Sequence, residues 1–310
     1  MKMSLGVFTL SEIMDAPTEA VCYLCLDGEV NENSQPLRRD CACRGLDAGF
    51  VHLSCLTKYA AVKSEQARDM KELREPWKFC LNCNQQYQND FGIDIATEFV
   101  SFVKRIHPRD TQMQVEALDL KLCALINMID CLQPRQMREA GVTANVMLSL
   151  IDRMKVVVSP LPRRYSQFEA DSHNAHGCIA LNEGTEDGAR RAVVHFNKDL
   201  NLCEAIGDVE GIAVAKGSIA AAKSRLFEGG NIEEVLKASE ELYELRVAKL
   251  GEEHEHTIHA GKQYADALQR ANRGGDASEL LMKLLATSKQ VLGPHHSITM
   301  TVEAALNKCR

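Results

Sequence analysis

Beyond about Ile93 the apolar positions recur with a helical period. Val115, Leu118, Leu122, Leu125 and Ile129 step by three and four and mark one face of a helix. Asp110 and Thr111 offer caps at its start. Pro134 separates it from a second helix, whose apolar face carries Val142, Val146, Ile151 and Met154. Ser159-Pro160-Leu161-Pro162 breaks the pattern. From Arg163 the spacing predicts helices over about 166–182, 186–206, 209–228, 231–249, 256–272, 276–291 and 297–309. Before Ile93, residues 1–17 read as a short arm of partly helical character that ends at Pro17, and one later segment is helical in texture. Leu53, Leu56, Tyr59, Ala60 and Lys63 predict a helix that starts near His52, runs to about Arg74 and is closed by Pro76.

The helical part repeats itself. LGEEHEHT at 250–257 returns as LGPHHSIT at 292–299, with Leu, Gly, His and Thr matched at an offset of 42. Gly229-Gly230-Asn231 leads to Glu234, and Gly274-Gly275-Asp276 to Glu279, at an offset of 45. Each of these reads as a glycine turn, an Asn or Asp cap and an acid three residues on. The mismatch of three residues predicts that the second copy's helix is shorter by about one turn. Gly184 before Thr185-Glu186-Asp187-Gly188, and Gly207-Asp208, open fainter copies. Such helix-turn-helix units cannot bury their apolar faces alone, so they are expected to stack as a solenoid. Small residues such as Ala220 and Ala265 would let paired helices approach closely.

Composition adds little to that picture and agrees with it. The 310 residues are 45% hydrophobic but only 5% aromatic, which favours a helical protein of about two domains. The formal net charge of −7 argues against a nucleic-acid partner, which needs a basic surface. No stretch reaches the roughly 18 apolar residues of a membrane span. Leu5 to Leu10 is too short and interrupted for a secretory signal, and Glu12 and Asp15 follow it. A reducing compartment, cytoplasm or nucleus, is therefore expected, where paired cysteines read as metal ligands.

Seven of the 12 cysteines fall between residues 22 and 83, and with one histidine they form four close pairs. These are Cys22 and Cys25, Cys41 and Cys43, His52 and Cys55, and Cys80 and Cys83. Four pairs make two tetrahedral zinc sites. Either neighbouring pairs share an ion, or the sites interleave, with residues 22, 25, 52 and 55 on one zinc and 41, 43, 80 and 83 on the other. A histidine in register among seven cysteines has no place in a disulfide scheme.

The stretch from about 20 to 90 resembles the RING-CH (RING-variant) family, whose ligand order is four Cys, one His and three Cys. The resemblance extends to Cys41-Ala42-Cys43, Cys43-Arg44-Gly45, Val51-His52-Leu53-Ser54-Cys55-Leu56, and Phe79-Cys80-Leu81-Asn82-Cys83 followed by Tyr87. PHD fingers share the ligand order. Their third and fourth ligands are usually further apart, however, and their Trp lies two before the seventh ligand, whereas Trp77 lies three before Cys80. The RING-CH resemblance implies cross-brace binding of two structural zinc ions, which selects the interleaved division. It also implies a ubiquitin-protein ligase without a nucleophile of its own, which docks a ubiquitin-conjugating enzyme and holds its thioester-linked ubiquitin in a reactive pose. The family's docking surface falls on Leu24, Tyr59, Leu81 and Asn82. The family commonly has Trp where Tyr59 sits, and many RING domains have a cation where Asn84 sits.

The later repeats resemble kinesin-light-chain-like tetratricopeptide repeats, with their L-G-x-x-H-x-x-T mark, over about 208–310. This implies an α-solenoid that binds a protein or peptide substrate, with Lys216, Ser218, Lys262 and Gln263 on its inner helices. The resulting architecture is mainly α: an arm over 1–17, a zinc module over 18–91, a helical connector over 92–162 and helical repeats over 163–310. A non-enzymatic zinc-finger adaptor and a PHD-type chromatin reader are the alternative functions. No Ser-His-Asp order, phosphate loop or paired-carboxylate motif stands out. His254, His256 and His259 read as residues near a turn, since His254 has His296 as its repeat partner. His173 and His176, near Glu169 and Asp171, lack a further close ligand pair in sequence. Cys123, Cys131, Cys178, Cys203 and Cys309 are scattered and read as small buried apolar residues.

Overall fold

The computed structural model describes residues 20–309 apart from 29–34, 42, 44–47, 128–133, 224, 227–231 and 295. The expected arm, Ala42, Arg44, Gly45, Ile129, Cys131 and the Gly229-Gly230-Asn231 turn lie outside the described residues. Two compact units divide the chain, Met1–Gln86 and Tyr87–Arg310. Among the described residues there are twelve helices and no strand beyond isolated bridges.

The first unit has two helices, α1 (Leu53–Glu65) and α2 (Met70–Lys78), where the sequence pattern predicts one. The break is built by capping. The Asp69 carboxylate accepts from Glu72 N (2.8 Å), and the Glu72 carboxylate accepts from Arg68 N (2.9 Å). Donors orphaned at the start of α2 are thereby satisfied, and a separate helix costs little. Pro76 lies inside α2 rather than closing the segment. It removes one donor close to the helix end, and Phe79 N still reaches the Glu75 carbonyl at 3.0 Å. Ser64 ties the helices together. Its hydroxyl donates to the Leu73 carbonyl (2.9 Å) and accepts from Trp77 Nε1–H (2.7 Å). Ser64 and Trp77 are buried with Leu56, Ala60 and Leu73.

The second unit runs from α3 (Asn89–Ile106) through α4 (Thr111–Ile126), α5 (Pro134–Val157), α6 (Arg163–Asn182), α7 (Glu186–Ile206), α8 (Val209–Lys223), α9 (Ile232–Leu250), α10 (Glu255–Arg270) and α11 (Gly274–Val291) to α12 (Ser297–Lys308). Each helix packs on the next, and α4 also meets α6 as α10 meets α12. Contacts between neighbours and second neighbours are what a stacked helical repeat requires. Asp110 caps α4 as expected, accepting from Met113 N at 3.0 Å, and Thr185 caps α7, accepting from Gly188 N at 3.0 Å. His254 and His296 are caps too. Their Nδ1 atoms accept from His256 N (3.2 Å) and Ile298 N (3.3 Å). The repeated histidine thus marks a helix start, as its place in the repeat predicted.

Three expectations are corrected here. Val142 and Val146 do not face the core. They are exposed, and Ala140, Thr143, Ala144, Met147, Leu150, Ile151 and Met154 form the buried face of α5. Small residues let α5 sit close to its neighbours, so Ala and Met share the stripe with Leu150 and Ile151 while the two valines are left outside. Asp276 is not the cap of α11. The helix begins two residues earlier, Asn272 takes the left-handed backbone (φ 60°) before it, and the Asp276 carboxylate accepts from Arg273 Nε at 2.7 Å. Consequently α11 has 18 residues against 19 for α9, and the predicted shortening by a turn is absent.

Ala220 and Ala265 are buried as expected, and two glycines allow still closer contact. A Cβ on Gly177 of α6 would stand 2.3 Å from the Phe196 ring of α7, and one on Gly261 would stand 2.9 Å from Leu284. Gly177→Ala is therefore expected to destabilise the second unit by about 1–3 kcal/mol. Gly217→Ala, in a helix interior with nothing within 4 Å of the new Cβ, should stabilise it by about 0.5–1 kcal/mol. Chemical unfolding followed by helical circular dichroism tests both signs. In the first unit, Ser64→Ala would leave the Trp77 N–H buried without its acceptor, at a cost of about 1–3 kcal/mol. Trp77 is the chain's single tryptophan, so its fluorescence reports that transition directly.

Candidate metal centre

Two backbone knuckles carry four of the ligands, and their hydrogen bonds run in the same register. Cys22 N donates to Asp27 O (2.9 Å) and Leu26 N to Cys22 O (2.8 Å). In the second knuckle Cys80 N donates to Gln85 O (2.8 Å) and Asn84 N to Cys80 O (2.9 Å). Each turn needs a left-handed residue just after its second cysteine, and Leu26 (φ 64°) and Asn84 (φ 54°) supply it. Asn adopts that conformation readily, whereas Leu does so at a cost. Asn84 thus has a backbone reason to stand where many RING domains carry a cation.

The middle ligands are held by a bridge and a helix start. Arg38 and Val51 exchange two backbone hydrogen bonds of 2.9 Å, which fixes the chain entering His52. His52 is the N-cap residue of α1, and Cys55 lies in its first turn. Ser54 N, one of the orphan donors there, finds Gln35 Oε1 at 3.0 Å. Gly49 (φ 83°) must be glycine, because a Cβ there would lie 2.7 Å from Cys43 Cβ and 3.1 Å from Cys41 Sγ.

The eight residues gather as the interleaved pairing requires. Cys22, Cys25, His52 and Cys55 have donor atoms all within 4.8 Å of one another, and so do Cys41, Cys43, Cys80 and Cys83. The division between neighbouring pairs is thereby excluded. In the first cluster, His52 Nδ1 lies 3.4 Å from Cys25 Sγ and 3.8 Å from Cys55 Sγ. His52 Nε2 lies 3.2 Å from the Gly28 carbonyl, the one partner in reach that can only accept. Nε2 therefore carries the proton, and Nδ1 is the free ligand atom, oriented by a partner on the ring's other nitrogen. His52 is fully buried.

Electrostatics in the second cluster call for a cation. Cys43 and Cys80 sulfurs are 3.6 Å apart. Hydrogen bonding with Cys80 and then Cys83 pushes the Cys41 thiol far up, while hydrogen bonding with Cys41 and Cys83 pulls the Cys80 thiol down. Four sulfurs so crowded cannot all ionise by themselves, and a dication would remove the conflict. A donor set of three thiolates with one imidazole, and another of four thiolates, fits tetrahedral Zn²⁺. No resident nucleophile is needed for such sites, which contribute to folding.

The proposed partner contacts are placed as follows. Leu81 is exposed (42%), Asn82 is exposed, and Leu24 and Tyr59 are partly exposed. Lys63 Nζ stands 5.8 Å over the Tyr59 ring. Leu26 (73%), Val62 (54%) and Val21 (41%) are further exposed apolar residues of this unit that spacing did not single out. Trp77 is buried in the α1–α2 contact. On the repeats, Lys216 lies exposed and Ser218 partly exposed on α8, and Gln263 is exposed on α10. Lys262 on α10 is half-buried, and its ammonium pairs with Asp266 at 2.8 Å. Of the scattered cysteines, Cys203 is buried as expected, but Cys123 is exposed and Cys178 and Cys309 are intermediate. Each of these thiols donates back one helical turn, to Asp119, Asn174, Asp199 and the Ala305 carbonyl for Cys123, Cys178, Cys203 and Cys309 respectively. Helix-borne acceptors make Cys tolerable outside the core.

The RING-variant domain model matches residues 22–76. That span ends before Cys80 and Cys83, which the geometry adds as the last two ligands. None of the curated proteins matches the chain significantly. Among solved structures, similarity is found to a point-substituted form of the nearly identical TPR-like repeats of a Podosopora anserina kinesin light chain, at 14% identity and a TM-score of 0.39, over 77% of this chain and 95% of that one. The unsubstituted form of the same protein gives 14% identity and a TM-score of 0.37 over the same shares.

The full-length chain is expected to carry two zinc ions by native mass spectrometry. Cys22→Ser and Cys80→Ser should each reduce the count to one, from different sites. Chelation of both ions should also shift the emission of Trp77 as the first unit loses its frame. A count of one or none in the unaltered chain contradicts the cross-brace.

Proposed function

We propose that this protein is a RING-type ubiquitin-protein ligase whose helical repeats recruit the substrate. The observation that carries this reading is the interleaved eight-ligand frame coinciding with a RING-variant match. In this reading residues 18–91 dock a ubiquitin-conjugating enzyme through Leu24, Tyr59, Leu81 and Asn82. The module then acts by positioning, holding the thioester-linked ubiquitin where a substrate amine can attack it. Residues 92–162 connect it to the repeats over 163–310, where Lys262 and Gln263 face a protein or peptide. Because Asp266 neutralises the Lys262 charge, Gln263 is the more available of the two. Among the described residues no helix is long and apolar enough to cross a membrane. A cytoplasmic or nuclear substrate fits this reading, as does the acidic charge, which disfavours nucleic acid.

The alternative is a non-enzymatic adaptor in which the same zinc frame only supports a binding surface. It is favoured by one observation, that the residue after the last ligand is Asn84 rather than a cation. Self-ubiquitination with a panel of conjugating enzymes decides between the two. Activity lost in Cys22→Ser, and strongly reduced in Leu24→Ala with both zincs retained, is expected of the ligase. A folded, zinc-loaded chain inactive across the panel would favour the adaptor. Asn84→Arg should raise ligase activity while lowering stability by about 1–2 kcal/mol, because Arg must adopt the left-handed backbone.

A further inference from the structure

Outside the zinc module, the second unit brings together three histidines that the sequence keeps apart. His173 and His176 lie about one turn from each other on α6, and His195 reaches them from α7. Nδ1 of His173 and Nδ1 of His195 are 3.4 Å apart. The His195 ring centroid is 5.6 Å from that of His173 and 5.0 Å from that of His176. All three side chains keep partial access to solvent. His195 supplies the close ligand that His173 and His176 lack in sequence.

The spacing has a chemical meaning. A tetrahedral ion with Zn–N bonds of 2.0–2.1 Å sets its ligand nitrogens about 3.3–3.4 Å apart. His173 and His195 therefore already span one edge of such a coordination sphere. Without an ion, one Nδ1–H donates to the other Nδ1. His176 is not yet part of the same point. Among the described residues, the groups with three or more donor atoms within 4.8 Å of one another are the two cysteine clusters. His176 must turn about its side-chain torsions to become the third ligand, and the 5.0 Å ring separation leaves that within reach.

The surroundings keep the imidazoles in their ligand form. Burial, and then the Lys198 charge, lowers His173 to about 4 and also lowers His176, while burial with the other two histidines lowers His195 to about 4. These rings are neutral at pH 7, so an ion releases no proton to solvent, and the Nδ1 proton shared by His173 and His195 passes to Nε2 of its ring. Lys198 opposes a dication. Lys155 does so less, because its ammonium is paired with the carboxylates of Asp152 and Glu169 at 3.4 and 2.6 Å.

We propose that His173 and His195, with His176 as third ligand and water as the fourth, bind a divalent ion of the zinc class and clip α6 to α7. The ion would be additional to the two of the zinc module and would act on the second unit alone. Imidazole-only ligation suits zinc, copper and nickel, and zinc is the probe used below.

The test uses the tag-free full chain with both cysteine sites filled. It is titrated with zinc sulfate at pH 7.5 and followed by native mass spectrometry. A third zinc is expected, bound at least about tenfold more weakly in His173→Ala/His195→Ala. This double variant should retain the two zincs of the cysteine sites, and the midpoint of helix melting should rise with added zinc in the unaltered chain only. His195→Gln, close in size and still able to hydrogen-bond, guards against misfolding of the double variant and should show the same loss. A count that stays at two, or a third zinc that binds equally well in these variants, overturns the proposal. Neither outcome bears on ligase activity, which is read from the other unit.

Discussion

Charge crowding among the cysteines is the constraint on which the first unit depends. Its core is small, centred on Leu56, Ala60, Leu73 and Trp77. Cys41, Cys43, Cys80 and Cys83 meet within 4.8 Å although up to 42 residues separate them along the chain. Bringing thiols together from such distances costs loop entropy, and ionising them costs electrostatic energy. A bound dication offsets both at once, because it is held by the thiolates that would otherwise repel. The knuckle turns, the Arg38–Val51 bridge and the start of α1 then become parts of one frame. Even strained details follow from it, since Leu26 accepts a left-handed backbone for the sake of the turn.

The repeats solve the opposite problem by ordinary burial. Their faces are built from alanine, leucine and a few aromatics, with close approach where glycine meets a ring, as at Gly177 and Phe196. Local signals agree with the stacking: the caps at Asp110, Thr185, His254 and His296 each start a helix that packs on its neighbour in the stack. Partner-binding chemistry in this region has no metal-like signature. The positions proposed to meet a partner, such as the exposed Gln263, are of a kind that any solvated helix also presents.

Much of this was legible in the sequence. The ligand pairs could be read because metal chemistry fixes residue type and short spacing together, and the helices from 163 onward fall within a few residues of their expected limits, α8 apart. What escaped depended on contacts that spacing does not encode. Residues from His52 to about Arg74 read as one helix because the Asp69–Glu72 capping pair is polar and carries no period. On α5 two β-branched residues, Val142 and Val146, turned out to face solvent, while Ala140, Ala144 and Met147 share the buried face with Leu150 and Ile151. His195 gave no sign in sequence of joining His173, because only the α6–α7 pairing brings them together.

The histidine caps of the repeat have a thermodynamic side. His296 accepts a hydrogen bond through Nδ1 and is buried, and burial lowers it to about 4. A base depressed in this way is protonated in the unfolded chain before it is protonated in the folded one. The unfolded state therefore binds the extra proton between roughly pH 6.5 and 4, and stability falls as pH falls through that window. Below it the ring becomes a donor only, and the first turn of α12 loses its acceptor. The last helix of the stack is thus tied to the acidity of its surroundings in a way that a Ser or Asp cap would not be.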